Sequence, residues 1–520
     1  MRKLSILSAA VAGVLAGAAA NAATVDMYAT GASAQRSFWK TDLLASFCGA
    51  SGKILTFQIT GASANPDNEA YRCTAASTTD AVTLPTGVSA GDVITLRYSA
   101  ELGSVWGIAP FIPGGSTNRL YVNPDSGDCG LFSTSATEDI YHCTIGNYDA
   151  HAEAFTAPTG STFGDALVLH NGDVGLMDLE PTKWANSDNW PEQNGTAPYS
   201  AIGPVPPLSD LQTLQASTNA GPVNGQLFAV IVNTQGPLAT AAGTNPANLS
   251  KESLSAIFTG QYTRWNQVPE VGGGTTSNTG FIHVCRRDHG SGTQVAASVF
   301  FTQKECASLL NAANLGTARF VAETPANGNA KSLGALSGTG CPVHTDVNGA
   351  TSAACVQENN TTGKLRTCVQ SDPNAIGFAS VSINAGWKTI SIDGVQPNAH
   401  NAAANFYPYA FEAWAYNNSA ASGASTAAQN TIALLISDAK AAAKLPAKET
   451  GNPLAAGSPN GPIGTWDNLT SPKSNFALSG GTFGTTFRNA TSWKTTSQAV
   501  SSLHNFTGEA CKVILNPNGA

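Results

Sequence analysis

Apolar and polar positions recur along this chain in one order. A short run at strand period comes first, then a turn carrying glycine and serine, then a run at helical period. Val25-Asp26-Met27-Tyr28-Ala29-Thr30 leads into Gly31-Ala32-Ser33-Ala34-Gln35, and a helix is expected from Arg36 to Phe47. Residues 93–99 repeat the strand pattern, and Glu101 to Gly107 form its turn. The third case is Phe281-Ile282-His283-Val284-Cys285, the turn from Arg286 to Gln294, and a helix opening at Val295. Residues 226–233 read as a buried, β-branched strand bounded by glycine. Residues 248–258 place Leu254, Ile257 and Phe258 on one helical face, with Ser250 positioned to cap it. Asp173 to Pro181 reads as a short strand ending in an acidic turn. Strand spacing resumes at 375–380, at 389–392 and on to Tyr416, and 427–443 is helical. Strands alternating with helices predict a largely parallel α/β sheet. Polar, turn-rich stretches at about 50–89, 109–165 and 323–368 are expected to be insertions, and residues 446–520 a loop-rich extension.

The N-terminus sets the compartment. Arg2 and Lys3 precede an apolar run from Leu4 to Ala20, and Ala20-Asn21-Ala22 is a small-x-small cleavage site, so residues 1–22 read as a secretory signal peptide. No second apolar stretch reaches the ~18 residues of a membrane span. Ten cysteines in an exported chain favour disulfides over metal sites. Cys48 with Cys73, Cys129 with Cys143, and Cys341 with Cys355 are spaced to close local loops, although spacing does not fix connectivity. A net charge of −8 with 12% charged residues argues against nucleic acid, which requires a basic face. It leaves room for a small anion in a local cradle. At 520 residues the chain calls for two lobes rather than one core.

The turn Arg286-Arg287-Asp288-His289-Gly290-Ser291-Gly292-Thr293-Gln294 carries the chemistry. Its glycines let backbone approach a ligand, and the first N–H groups of the following helix have no intrahelical partner and face the positive end of its dipole. Ser291 and Thr293 add hydroxyls, and Arg287 a two-pronged guanidinium. The competing reading is a solvent-facing turn whose Ser or Thr caps the helix, with Arg287 in a surface ion pair with Asp288. For Asp178 the competing reading is a turn acid before Pro181, and for Ser33 and Ser104 it is helix capping.

Taken in order, these pieces resemble the periplasmic phosphate-binding proteins of bacterial ABC uptake systems, the phosphate-binding DING proteins among them. Gly31-Ala32-Ser33-Ala34 is similar to the family's first glycine loop, and Tyr98-Ser99 through Gly103-Ser104 to its serine loop. Val174-Gly175-Leu176-Met177-Asp178 resembles the strand whose closing Asp enters the cleft. Leu249 to Asn266 is similar to the helix and turn of the second lobe, and Arg287 to Thr293 to the Arg-x-x-Gly-Ser-Gly-Thr anion loop. Ile376-Gly377-Phe378 and Ile392-Asp393-Gly394-Val395 continue the match, which covers roughly residues 24–440. Two positions depart from the pattern. Ala34 stands where the family has an aromatic residue, and His289 where it has an Asp, with Asp288 one position earlier.

The resemblance implies a type II periplasmic-binding-protein fold, α/β, with two hinged lobes, an interlobe cleft and polar insertions. Lobe 1 would span 23–225 and return at 401–445, and lobe 2 would span 226–400, with crossings near Phe228 and Tyr407. It implies an exported, periplasmic or secreted, monomeric, non-enzymatic protein that needs no cofactor and no metal. The ligand would be inorganic phosphate or a related oxyanion, held by Ser33, Ala34, Ser104, Asp178, Arg287, Ser291, Gly292 and Thr293, and an inner-membrane ABC permease would be the partner. Asp178 would accept a hydrogen bond from the phosphate proton. Two other readings stand beside it. One is a secreted surface or matrix protein that reuses this fold without transport. The other is an enzyme with Ser291 as nucleophile and His289 as base, although the two lie on one tight turn and a base usually comes from a distant segment.

Overall fold

The structure is a computed structural model. It describes residues 22–440 apart from internal segments, the longest being 145–165, 191–204 and 303–342, together with the short strands Asn475–Leu478 and Val500–Ser501. The signal peptide and most of the C-terminal extension lie outside the described residues.

The strands, in chain order, begin with β1 (Thr24–Gly31), β2 (Ile54–Thr60), β3 (Asn68–Thr74), β4 (Val93–Ser99), β5 (Asn118–Val122), β6 (Cys129–Thr134), β7 (Glu138–Thr144), β8 (Leu167–Asn171) and β9 (Val174–Met177). The long strand β10 (Ala220–Asn233) follows, then β11 (Asn248–Leu249), β12 (His283–Arg287), β13 (Val343–Thr345), β14 (Thr351–Ala353), β15 (Val356–Asn359), β16 (Ala375–Ser380), β17 (Trp387–Thr389), β18 (Ser391–Ile392) and β19 (Ala410–Asn417). The helices are α1 (Leu208–Ala216), α2 (Lys251–Phe258), α3 (Gly292–Thr302), α4 (Thr362–Ser371) and α5 (Thr426–Lys440). A helical run of changing pitch covers 33–47.

One sheet runs through the molecule in the order β15-β12-β16-β10-β19-β9-β1-β4-β3-β2-β7-β6. It is mixed, not largely parallel. β1 pairs in parallel with β4 and β9, and β12 with β15 and β16, as alternating strands and helices imply. Antiparallel pairs come from the crossing strands and from β2–β3, β3–β4 and β6–β7. The first part of β10 pairs with β19, and residues 228–232 pair with β16. A chain that crosses and returns must run in opposite directions at the crossing, and an alternation count cannot see this.

Apolar burial separates into two main cores. One gathers Met27, Trp39, Leu96, Tyr98 and Leu435, and the other Phe228, Ile231, Val284, Phe300 and Phe378. The crossing strands serve both. Val223 and Ala413 lie in the first core, whereas Leu227 and Trp414 lie in the second.

The polar stretches contain more structure than expected. The stretch 50–89 forms β2 and β3, and β3 pairs with β4. The stretch 109–165 supplies β5, β6 and β7, with β7 parallel to β2. The end of 323–368 is β15, which extends the sheet beside β12, and most of α4. Disulfides Cys48–Cys73 and Cys129–Cys143 form as the spacing suggested. Cys285–Cys368 is a third, unforeseen pair. Cys355 is disulfide-bonded, and Cys341, its expected partner, lies outside the described residues.

Candidate functional site

Three turns meet where the C-terminal ends of β4, β9 and β12 approach one another. The β9 strand delivers Asp178, which is 1% exposed. Its N–H donates to Ser104 Oγ at 3.1 Å, which fixes the serine turn to the end of β9. Burial raises the Asp178 carboxyl to about 7, against the opposing pull of the Ser104 hydroxyl, the Arg287 charge and the Gln226 side chain. Its Oδ1 has no hydrogen-bond partner in the structure. A buried acceptor without a donor costs about 1–3 kcal/mol, so this atom has a standing demand for one.

Arg287 closes β12 and is 2% exposed, so its ion pair with Asp288 is buried and not at the surface. Its Nε donates to Asn359 O at 3.0 Å and its Nη1 to Thr362 Oγ1 at 2.8 Å. Its Nη2 lies 3.6 Å from Asp288 Oδ1. A planar guanidinium with acceptors on Nε and Nη1 and a carboxylate beside Nη2 has a fixed orientation. Asp288, itself buried, therefore orients Arg287 from the position before the one where the resemblance puts an Asp, and His289 is half-buried beside it.

The anion turn is seated tightly. Val105 N–H donates to Gly290 O at 3.0 Å, a direct link between the serine turn and the anion turn. Gly103 has φ +74°, and a Cβ there would lie 3.2 Å from Ser291 Cα. A Cβ on Gly292 would lie 2.5 Å from Asp178 Oδ2 and closer still to Ser104 Oγ. Only glycine allows the start of α3 to come this near the carboxylate. Ser291 and Thr293 are buried at the same helix start, whose first N–H groups have no partner within the helix. Gln294 locks the turn by accepting from Arg287 N–H at 3.2 Å and donating to Ser298 Oγ at 3.1 Å.

The structure therefore brings Ser104, Asp178, Ser291 and Gly292 into contact, with Thr293 on the same helix start and Arg287 on the same turn. Ser33 and Ala34 are placed differently. They are half-buried at the start of the helical run 33–47, and no hydrogen bond joins Ser33 to Asp178 or Arg287. Their turn is nonetheless tied to β9, because Ala32 N–H donates to Leu176 O at 2.8 Å.

Sequence reasoning missed a buried amide network behind the site. Gln35 donates to Gln226 Oε1 and to Asn224 Oδ1, the latter at 3.4 Å, and Asn224 Nδ2 donates back to Gln35 Oε1 at 3.3 Å. Gln226 in turn acts on Asp178. The network runs from the first turn to Asn224 and Gln226 of the crossing strand β10. Its signal in the sequence was two amides, Asn224 and Gln226, leading into an otherwise apolar strand.

Residues 217–439 match the family model of the PBP superfamily domain. With the mixed sheet and the two cores on either side of crossing strands, the fold is of the type II periplasmic-binding class. Solved structures similar to the chain include a Clostridium perfringens protein assigned to phosphate ABC transport and solved with bound phosphate. It is 19% identical over 42% of this chain and 64% of that one, with a TM-score of 0.27. An ABC-type phosphate transport receptor from Vibrio cholerae is 20% identical over 42% and 68%, with a TM-score of 0.25. PstS from Borrelia burgdorferi is 13% identical over 42% and 70%, with a TM-score of 0.25. The chain thus spans just under two thirds of the first of these. A search of curated proteins finds no match.

Proposed function

We propose that the cluster at Asp178 and Arg287 is an oxyanion site, and that the protein is an exported substrate-binding protein capturing inorganic phosphate. One observation carries the reading: a fully buried carboxylate, with one oxygen unpartnered, facing a helix N-terminus and an oriented guanidinium. Arg287 and the α3 N–H groups favour an anion, and Asp178 repels one. The two demands are met together by an anion that carries a proton. Monohydrogen phosphate has a P–OH to donate to Asp178, whereas sulfate has none and leaves a desolvated carboxylate against its own charge. With the Asp178 carboxyl raised to about 7, this rejection of sulfate belongs to the ionised form and grows as pH rises above 7.

In this reading Ser104, Asp178, Arg287, Ser291, Gly292 and Thr293 contact the ligand. Lobe 1 (23–225 and 401–445) supplies Ser33, Ala34, Ser104 and Asp178, lobe 2 (226–400) supplies the rest, and hinge motion of a common kind opens and closes the two sets around the ligand. The protein acts as a monomer in the periplasm or outside the cell, without catalysis, and hands phosphate to an ABC permease. Among the described residues no helix is long and apolar enough to cross a membrane, and the disulfides fit an exported chain. Calorimetric titration of the mature protein with phosphate, with sulfate and arsenate as competitors, tests the reading. Micromolar or tighter phosphate binding undisturbed by sulfate supports it. The absence of heat with all three oxyanions rejects it in favour of a surface or matrix role.

A further inference from the structure

Away from the anion site, β12 and α4 bring three metal-type ligands together. His283 and Cys285 are two residues apart on β12 and so point to the same face of the sheet, where Cys368 of α4 meets them. Their ligand atoms all lie within 4.8 Å of one another, and all three side chains are buried. His283 Nε2 lies 3.7 Å from Cys368 Sγ. On its other side, His283 Nδ1 lies 3.2 Å from Asp372 Oδ2. A carboxylate on one ring nitrogen with cysteine sulfur at the other is the arrangement that orients a histidine ligand toward a thiophilic metal once the sulfur is reduced. The carboxylate favours the tautomer with the proton on Nδ1 and the lone pair of Nε2 toward the cysteine sulfurs.

In the structure Cys285 and Cys368 are joined as a disulfide. We propose that their dithiol state is a binding site for a divalent thiophilic cation of the zinc class, with His283, Cys285 and Cys368 as ligands and Asp372 as the residue orienting His283. A dithiol reductant gives two electrons and two protons to the disulfide and is itself oxidised to a disulfide. The cation then displaces the two thiol protons to solvent. Charge selects the valence. Two thiolates and a neutral imidazole around a divalent ion sum to zero, whereas a monovalent ion leaves a net negative charge in a buried site, which is costly. Soft sulfur ligands favour zinc over the hard alkaline-earth cations.

The test uses the full mature chain, reduced with a phosphine, freed of reductant and titrated anaerobically with Co(II). The expected result is one equivalent showing thiolate-to-cobalt charge transfer, displaced by Zn(II) and absent from the oxidised protein. The double variant Cys285→Ser/Cys368→Ser gives the background from the other cysteines. If that variant does not fold, His283→Gln keeps both thiols and is expected to weaken Co(II) binding and shift its visible bands. Asp372→Asn is expected to weaken binding about 10- to 100-fold. The proposal is overturned if reduced wild type and His283→Gln titrate alike, or if Cu(I) alone binds.

Discussion

The ionisation of Asp178 is the variable on which the chemistry of the site turns. Its carboxyl titrates near 7 when folded, against 3.8 for the free side chain. Between those values the folded protein keeps a proton that the unfolded chain has lost. The stability contributed by this group is therefore complete below 3.8, falls as pH rises toward 7, and levels off above it. The same titration predicts how sulfate behaves. Sulfate brings no proton, so it needs Asp178 protonated. Its affinity should fall about tenfold per pH unit above 7 and flatten below. Competition assays from pH 5 to 9 check this, and a sulfate affinity independent of pH would remove Asp178 from the ligand's first contacts. Gly292 carries a second residue-scale prediction. Gly292→Ala forces a Cβ against Asp178 and Ser104 and should reduce phosphate affinity by tenfold or more, read by calorimetry on protein whose circular dichroism is unchanged.

At the scale of elements, the parts whose chemistry is local were legible in the sequence and the parts assembled from afar were not. Ser250 was expected to cap a helix, and its side chain accepts from Ser253 N–H at 3.2 Å at the start of α2. Ser250→Ala should cost about 1 kcal/mol, seen as a lower Tm, with phosphate affinity unchanged. The strand, turn and helix around Arg287 were equally plain, because glycine, serine and apolar periodicity lie within twenty residues of sequence. The acceptors that orient Arg287 were invisible, since Asn359 and Thr362 arrive from more than seventy residues away. The strands β2 and β3 were taken for turns because glycine, asparagine and threonine surround them. Ile54-Leu55-Thr56-Phe57-Gln58-Ile59-Thr60 did carry an alternating pattern that the flanking residues obscured. Cys285 was read only as part of an apolar strand, and its pairing with Cys368 depends on α4 folding over β12.

Over the whole molecule, the sheet passes from one core to the other through β10 and β19, and the anion turn meets the serine and aspartate turns beside that crossing. Disulfide Cys48–Cys73 lies in the first core, away from this junction. Replacing Cys48 and Cys73 with serine removes a link of sequence separation 25 within the first core. It should lower unfolding stability by about 2–4 kcal/mol in denaturant titrations and leave phosphate affinity intact. The central claim is that a buried carboxylate selects an anion by its proton, and the most direct measurement is the ratio of phosphate to sulfate affinity in wild type and in Asp178→Asn. An amide can donate to either anion, so at pH 9, where Asp178 is ionised, the account predicts a large ratio in wild type that collapses by about two orders of magnitude in the variant, chiefly through tighter sulfate binding. An unchanged ratio would contradict it.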